Sequence, residues 1–132
     1  MAGMKLLVAL SLLLAASPAQ ATGLTVKMGE TWLFTLKNGE PANARKVPAS
    51  ATIPKGQIKV AVRAMLGTGM TITNNSPIAY TFRAELISGG KATLARSCTL
   101  PSKARPAFEQ WPQKADAIRI GAFKVADEDG HC

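Results

Sequence analysis

His131, the only histidine of the chain, is the first residue to consider for catalysis. General acid–base catalysis needs a histidine or a tuned carboxylate held within reach of a nucleophile, and a position next to the last residue holds a side chain poorly. Glu85 and Glu109 could act as an acid and base pair, but Glu85 alternates in phase with Arg83, which favours a solvated ion pair. The sequence contains no Gly-x-Ser-x-Gly, His-Glu-x-x-His or phosphate-binding glycine loop. We therefore expect a protein that is not an enzyme and that needs no cofactor.

Soft ligands for a copper ion are present but scattered. The candidates are Met65, Met70 and His131, with Met28 and Cys132 as further ligands of the same chemical type. Methionine is more often a filler of the hydrophobic core, and the sequence has no Met-x-Met or His-x-Met cluster. A copper carrier is therefore the less favoured hypothesis, and no metal site is assigned.

The first 21 residues have the features of a secretory signal peptide. Lys5 supplies a positive charge, an apolar run follows it, and Ala19-Gln20-Ala21 forms a small-residue cleavage site. The apolar run is short for a membrane span, which needs about 20 residues. We therefore expect residues 1–21 to be removed, residues 22–132 to form a single domain, and the protein to be periplasmic or secreted rather than membrane-spanning.

Cys98 and Cys132 are the two cysteines of the chain. Export to an oxidising compartment favours a disulfide between them. The chain-entropy model gives such a cross-link about 4 kcal/mol of stabilisation for a loop of about 35 residues. A disulfide would hold the C-terminal residues against the body of the domain.

The chain is basic, with 16 lysine and arginine residues, 8 aspartate and glutamate residues and a formal net charge of +8. The positive charge is concentrated in residues 37–63 and 91–105, and the sign reverses at residues 127–129. Such a distribution attracts acidic proteins, anionic polymers and anionic lipid head groups. Nucleic acid is not an expected partner, because aromatic residues are few and an exported protein is separated from the genomic DNA.

Residues 40–55 show little apolar periodicity, contain three prolines and are the first candidate for a contact surface. An edge strand interrupted by proline and protected by charge is the alternative interpretation of the same segment. Trp111 lies between Gln110 and Pro112 in a polar stretch, where it would form an exposed anchor or cover one end of the fold. The predicted partner-binding residues are Arg45, Lys46, Lys55, Lys59, Arg63 and Trp111.

Alternating apolar residues predict the strands that must position these side chains. Residues 57–66 and 78–87 alternate apolar with polar or charged side chains, which is the period of a half-buried strand. Residues 70–73 predict a short strand between them, and the intervening turns carry glycine, asparagine and proline. We therefore expect a three-stranded meander over residues 57–87. Residues 31–37 predict a further amphipathic strand.

About seven short strands separated by turns predict an all-β fold. A small antiparallel two-sheet sandwich of immunoglobulin-like type is the expected architecture, and a small β-barrel is the alternative. Residues 71–82, which read Thr-Ile-Thr-Asn-Asn-Ser-Pro-Ile-Ala-Tyr-Thr-Phe, resemble the strand-turn-strand unit of immunoglobulin-like domains in periplasmic pilus chaperones. The resemblance implies the sandwich alone, because the chain lacks the two-domain length of those chaperones.

The sequence therefore predicts an exported, non-catalytic β-sandwich that binds another envelope or secreted protein. The alternative is electrostatic binding to anionic envelope polymers or lipid head groups by the same basic residues. Ionic strength separates the two hypotheses. Binding by charge alone weakens steeply as salt rises, whereas a protein interface with an apolar centre persists.

Overall fold

The computed structural model describes residues 22–127, which form nine β-strands in two antiparallel sheets. The strands are β1 (Leu24–Lys27), β2 (Thr31–Lys37), β3 (Glu40–Lys46), β4 (Ile58–Ala64), β5 (Thr68–Asn74), β6 (Tyr80–Ser88), β7 (Lys91–Ala95), β8 (Pro106–Trp111) and β9 (Ala117–Val125). The four-stranded sheet has the order β1-β9-β6-β7, and the five-stranded sheet has the order β3-β2-β4-β5-β8. Residues 22–127 contain no helix long and apolar enough to cross a membrane.

The two sheets pack face to face around one core, which confirms the predicted all-β sandwich. Over the described residues the sheets do not close into the alternative barrel. The described strands number nine, rather than the predicted total of about seven. The strand order also differs from the ABED and CFG orders of immunoglobulin constant domains.

Strict alternation of side chains along the strands builds the core. In β4, Ile58, Val60 and Val62 point between the sheets and are buried. Ile118 and Ile120 of β9 meet them from the opposite sheet and are also fully buried. Burying an aliphatic side chain of this size stabilises the fold by about 1.5–3 kcal/mol, so these strands anchor the sandwich.

The first and last described strands are neighbours in the four-stranded sheet. β1 pairs with β9 in a register that runs from Leu24 opposite Ile120 to Lys27 opposite Ala117. On its other side, β9 pairs with β6. The centre of this sheet is therefore built from segments that lie far apart in the chain.

The predicted three-stranded meander is wrong in one respect. β4 and β5 pair in a hairpin as predicted, but β6 lies in the other sheet and does not pair with β5. The chain crosses between the sheets just after Asn74, whose Nδ2 donates to the Ile78 carbonyl at 2.6 Å and to the Pro101 carbonyl at 3.3 Å. This buried amide stabilises an arch where the sequence pattern predicted a turn within one sheet.

The alternative interpretation of residues 40–55 as an edge strand is confirmed for residues 40–46. β3 pairs with β2 alone and forms one edge of the five-stranded sheet. Pro41 removes a backbone donor from this edge, and Asn43 adopts a φ of 52° that interrupts its regular geometry. Such interruptions protect an edge against pairing with other molecules. The irregular connection is reduced to residues 47–57.

An irregularity in β9 joins the two sheets at one end of the sandwich. Ala122 has a φ of 52°, and the register of β9 against β6 shifts beside it, as expected for a β-bulge. The Ala122 N–H donates to Glu40 Oε2 at 3.1 Å. The Phe123 N–H donates to the Gly39 carbonyl at 2.8 Å. The tip of the β2–β3 hairpin is thereby fixed against the opposite sheet.

Phe123 lies at the centre of an aromatic cluster beneath this bulge. The centroid of its ring is 5.8 Å from that of Phe34, 6.2 Å from that of Tyr80 and 5.4 Å from that of Phe82. Aromatic pairs of this kind add about 0.5–1.5 kcal/mol to the free energy gained from burial. Because Phe34 comes from the five-stranded sheet and the other rings from the four-stranded sheet, the cluster stabilises the contact between the two sheets.

Some predicted features lie outside the described residues. They are the signal peptide of residues 1–21 and the two C-terminal residues His131 and Cys132. Cys98 lies in the connection between β7 and β8. Its disulfide with Cys132 therefore stays a prediction.

Replacing Phe123 by alanine is expected to lower the free energy of unfolding by about 3–5 kcal/mol, because a buried ring is lost and a cavity is left. Phe108→Ala is the matched control, since that ring is 52% exposed, and it should cost about 1 kcal/mol or less. Urea denaturation measures both values. Equal destabilisation by the two substitutions would contradict the assignment of Phe123 to the core.

Candidate binding surface

The outer face of the five-stranded sheet brings together three of the predicted partner-binding residues. Cross-strand pairing places Arg45 opposite Leu33, and Leu33 opposite Lys59. Arg63 lies four residues further along β4 and therefore projects from the same face as Lys59. The structure thus assembles Arg45 of β3 and Lys59 and Arg63 of β4 on a single face, with β2 between the two strands.

Lys59 makes a structural contact that the predicted binding role did not include. Its Nζ donates to the carbonyl of Ala49 at 2.7 Å and to the carbonyl of Ala51 at 2.8 Å. Both carbonyls belong to residues 47–57, the connection that follows the edge strand. Lys59 therefore fastens this connection to the sheet, and two of its three ammonium donors are used within the fold.

Lys46 also has a partner within the fold. Its Nζ lies 3.2 Å from Glu30 Oε2, at the margin of the same sheet. Glu30 accepts two more hydrogen bonds, from Trp32 Nε1 and from the Lys27 N–H, each at 3.0 Å. The bond from Trp32, followed by that from Lys27, lowers the pKa of Glu30 from 4.5 to about 2. Glu30 is thus the centre of a charged network that Lys46 joins.

Lys55 belongs to the end of the sandwich rather than to the outer face of the sheet. It lines a shallow cleft of about 440 Å³ formed by the connections after β3, β5 and β7. Lys103 lies in the same lining, together with the backbone turn at Asn75 and Ser76. The six predicted residues therefore do not form a single surface.

The prediction that Trp111 is an exposed anchor is wrong. Its side chain faces the core and is buried, and its Nε1 donates to the Arg96 carbonyl at 2.9 Å. The burial agrees with the other predicted role, in which Trp111 covers one end of the fold. Phe108, three residues earlier in β8, has the opposite parity and is the aromatic residue that this strand exposes.

Three exposed apolar side chains, which the sequence reasoning missed, lie on the face that carries Arg63 or in the turn that follows it. They are Met65, Leu66 and Phe108, which are 38%, 92% and 52% exposed, and we call these three residues the Leu66 patch. Phe108 projects from β8 two residues along from Gln110, which pairs with Gly69. Gly69 lies opposite Arg63 in the register and has no side chain. The Met65 side chain occupies the space above it, with Sδ 3.0 Å from the position that a Cβ would take. Met65 and Phe108 are therefore part of the outer face of the five-stranded sheet, and Leu66 lies in the turn at its end.

The turn between β4 and β5 displays Leu66 under backbone strain. Leu66 has a φ of 47°, a left-handed conformation that costs a residue with a side chain about 1–2 kcal/mol. Gly67 follows with a φ of 119°, and a Cβ there would collide with the carbonyl oxygen of Trp111. Gln110 Nε2 donates to the Met65 carbonyl at 2.7 Å and fixes the other side of the turn. The turn thus holds a large apolar side chain in solvent under strain, and strained positions of this kind cluster at functional sites.

Glu85 and Glu109 do not meet as an acid and base pair. Glu85 lies on the outer face of the four-stranded sheet, where Arg119 Nε donates to its Oε1 at 2.8 Å and lowers the pKa of Glu85. Glu109 lies in the five-stranded sheet and accepts a hydrogen bond from the Cys98 N–H at 2.6 Å. Burial raises the pKa of Glu109 above its ordinary value. The two carboxylates are on different sheets and face different environments.

The methionines considered for copper are also separated. Met70 is fully buried in the core, whereas Met65 lies on the outer face of the same sheet. Side chains on opposite faces of a sheet cannot reach one ion, and His131 lies outside the described residues. Among residues 22–127, no three histidine, cysteine, aspartate or glutamate side chains come together in a way that could hold a metal ion.

Comparison of the chain with protein-family models, with curated proteins and with solved structures finds no match.

Leu66→Gly is expected to raise the free energy of unfolding by about 1 kcal/mol or less, because glycine adopts a positive φ without a Cβ clash. Leu66→Ala is the control, since it shortens the exposed side chain but keeps the strain, and it should stay within about 0.5 kcal/mol of the original protein. Urea denaturation compares the three proteins. A loss of stability in the glycine variant alone would contradict the assigned strain.

Glu30→Gln tests the charged network at the margin of this sheet. Because folding lowers the pKa of Glu30 from 4.5 to about 2, its carboxylate contributes stability that is fully present above pH 4.5 and is lost as the pH falls toward 2. The variant should therefore be less stable than the original protein at pH 7, and the difference in Tm should shrink between pH 4.5 and 2. A difference in Tm that is independent of pH would refute the network as its source.

Proposed function

We propose that this protein is an exported, non-catalytic binding module that recognises another envelope or secreted protein. The observation that supports the proposal is the Leu66 patch beside Arg63. The turn keeps Leu66 in solvent, and Met65 and Phe108 extend the apolar area over the neighbouring sheet face. Single exposed apolar residues are common on protein surfaces, but three large ones on one sheet face and its turn, with Arg63 on the same face, resemble the apolar centre and polar rim of an interface.

The charges around the patch define the chemistry of the partner. The outward-facing positions of β4, β5 and β8 carry lysine, arginine, threonine, glutamine, glycine, alanine, proline and phenylalanine, and none of them is acidic. Arg63 lies next to the patch and Arg45 lies on the same face. A protein with an apolar centre and carboxylates at its rim complements this surface. Arg63 would then speed association, while the Leu66 patch would supply affinity that persists in salt.

The alternative function, electrostatic binding to anionic envelope polymers or lipid head groups, draws less support from this face. Lys59 donates to two backbone carbonyls, and Lys46 pairs with Glu30. Two of the lysines predicted to bind a partner therefore already make contacts within the fold. Binding by charge alone would also leave the exposure of Leu66 without a role. Salt dependence distinguishes the two functions.

Capture of envelope proteins by the tagged protein tests the proposal at about 0.1 M and about 1 M salt, where the Debye length falls from about 10 Å to about 3 Å. We expect one protein to be retained in stoichiometric amount at both salt concentrations. Leu66→Ser and Phe108→Ser should each weaken its retention about tenfold, because the apolar centre of the interface is lost.

Ile78→Ser is the matched control for this experiment. Ile78 is also exposed, but it lies in the arch between β5 and β6 and not in the Leu66 patch. Retention should be unchanged in this variant. If Ile78→Ser weakens retention as much as Leu66→Ser, or if only anionic polymers are captured and only at low salt, the proposal fails.

A periplasmic or secreted location follows from the predicted signal peptide, and the disulfide between Cys98 and Cys132 follows from that location. The immunoglobulin-like type of the sandwich, which the number and spacing of the strands predicted, also stays a proposal, since the described strand order differs from that of immunoglobulin constant domains.

A further inference from the structure

A separate basic cleft lies on the outer face of the four-stranded sheet, on the side of the sandwich opposite to the Leu66 patch. Its volume is about 550 Å³. Arg83, Arg96 and Lys124 lie in its lining, and Leu94 lies at its rim with an exposed side chain. None of these four residues was among the partner-binding residues predicted from the sequence.

The fold leaves a depression at this place for two reasons. β7 ends at Ala95, so the first half of β6 has no regular strand partner on this side. On the other side, the bulge in β9 brings Ala122 into the lining. Ala95 and Ala122 are both small, which leaves space between the longer side chains around them.

The three cations are available to a ligand. Arg83 Nη2 lies 3.5 Å from Glu85 Oε2, but Arg119 Nη2 lies 2.8 Å from the other oxygen of the same carboxylate and is its main partner. Arg96 and Lys124 form no ion pair with any residue in 22–127. The cleft therefore has an excess of positive charge.

The backbone that presents these cations is well fixed. The carbonyl of Arg96 accepts a hydrogen bond from the buried Trp111 Nε1 at 2.9 Å. Next to it, Ser97 Oγ donates to the Phe82 carbonyl at 3.2 Å. Lys124 lies in β9, opposite Thr81 in the register of the sheet. The cations thus project from positions that are held by the sheet and by Trp111, and such positions suit a binding site.

We propose that this cleft binds a small multivalent oxyanion, such as pyrophosphate, a phosphate ester or a polycarboxylate. The two guanidinium groups of Arg83 and Arg96 offer planar pairs of donors that match the oxygens of phosphate and carboxylate groups, and Lys124 adds a point charge. Three cations around one cleft favour a ligand with two or more negative charges over a single carboxylate. Leu94 offers an apolar contact to the rest of the ligand.

Isothermal titration calorimetry of the purified protein with pyrophosphate and with citrate, at constant ionic strength, tests the proposal. We expect saturable binding of at least one of them with one site per chain, and none of acetate. Arg96→Gln and Lys124→Gln should each weaken that binding about tenfold, because a charge-assisted hydrogen bond is lost. Arg63→Gln removes the same charge from the other sheet and should change the Kd by less than about twofold.

Vesicles that contain phosphatidic acid show whether a lipid carries the oxyanion. Binding to these vesicles but not to phosphatidylcholine vesicles, with loss in Arg96→Gln, would support the cleft as a site for a phosphate head group. Binding of the soluble anions alone would support it as a site for a free ligand. The absence of saturable binding to all of them, or an equal loss in Arg63→Gln and Arg96→Gln, would overturn the proposal. Leu66→Ser should bind the anion normally, so this site and the proposed protein interface can fail separately.

Discussion

Two hydrogen bonds donated by backbone N–H groups at the bulge of β9 determine how the two sheets meet. The N–H groups of Ala122 and Phe123 turn away from the regular ladder and bond to Glu40 and Gly39 of the opposite sheet. The bulge thereby places the ring of Phe123 in the core, where it contacts three other aromatic rings. The same irregularity brings Ala122 into the lining of the basic cleft. The bulge in β9 therefore contributes both to the packing of the core and to the shape of the basic cleft.

Local patterns predicted the strands well, because alternation along a strand is a property of neighbouring residues. The inward positions of β4 follow directly from the alternation that begins at Ile58. The pairing of strands depends on residues far apart in the chain, and the sequence pattern alone did not determine it. The turn after Asn74 suits a hairpin and an arch equally, and the choice depends on the contact between the Asn74 amide and the distant Pro101 carbonyl. For the same reason the bulge in β9 could not be predicted from its own residues.

The candidate sites show the same limit. The outward direction of Lys59 and Arg63 followed from alternation, but the return of residues 47–57 to bind Lys59 is a long-range contact. In β8, Phe108 and Trp111 lie on opposite faces, so only one of them can point into the core. The sequence does not indicate that Trp111 is the buried one and Phe108 the exposed one. The exposure of Leu66 had one local signal, the Gly67-Thr68-Gly69 stretch that follows it. That stretch predicted a turn, but it did not predict that the turn would hold a leucine in a left-handed conformation.

The pairing of β1 with β9 has a consequence for the order in which the chain can fold. β9 lies between β1 and β6, so β1 cannot join the four-stranded sheet until residues 117–125 are present. Sheets that depend on such distant segments form slowly, since a long loop must close before its contacts stabilise it. In a chain that emerges with its N-terminus first, this sheet therefore stays incomplete until residues 117–125 have emerged. If the predicted signal peptide directs the chain through a narrow membrane channel, this delay would keep it in the extended state that passage requires.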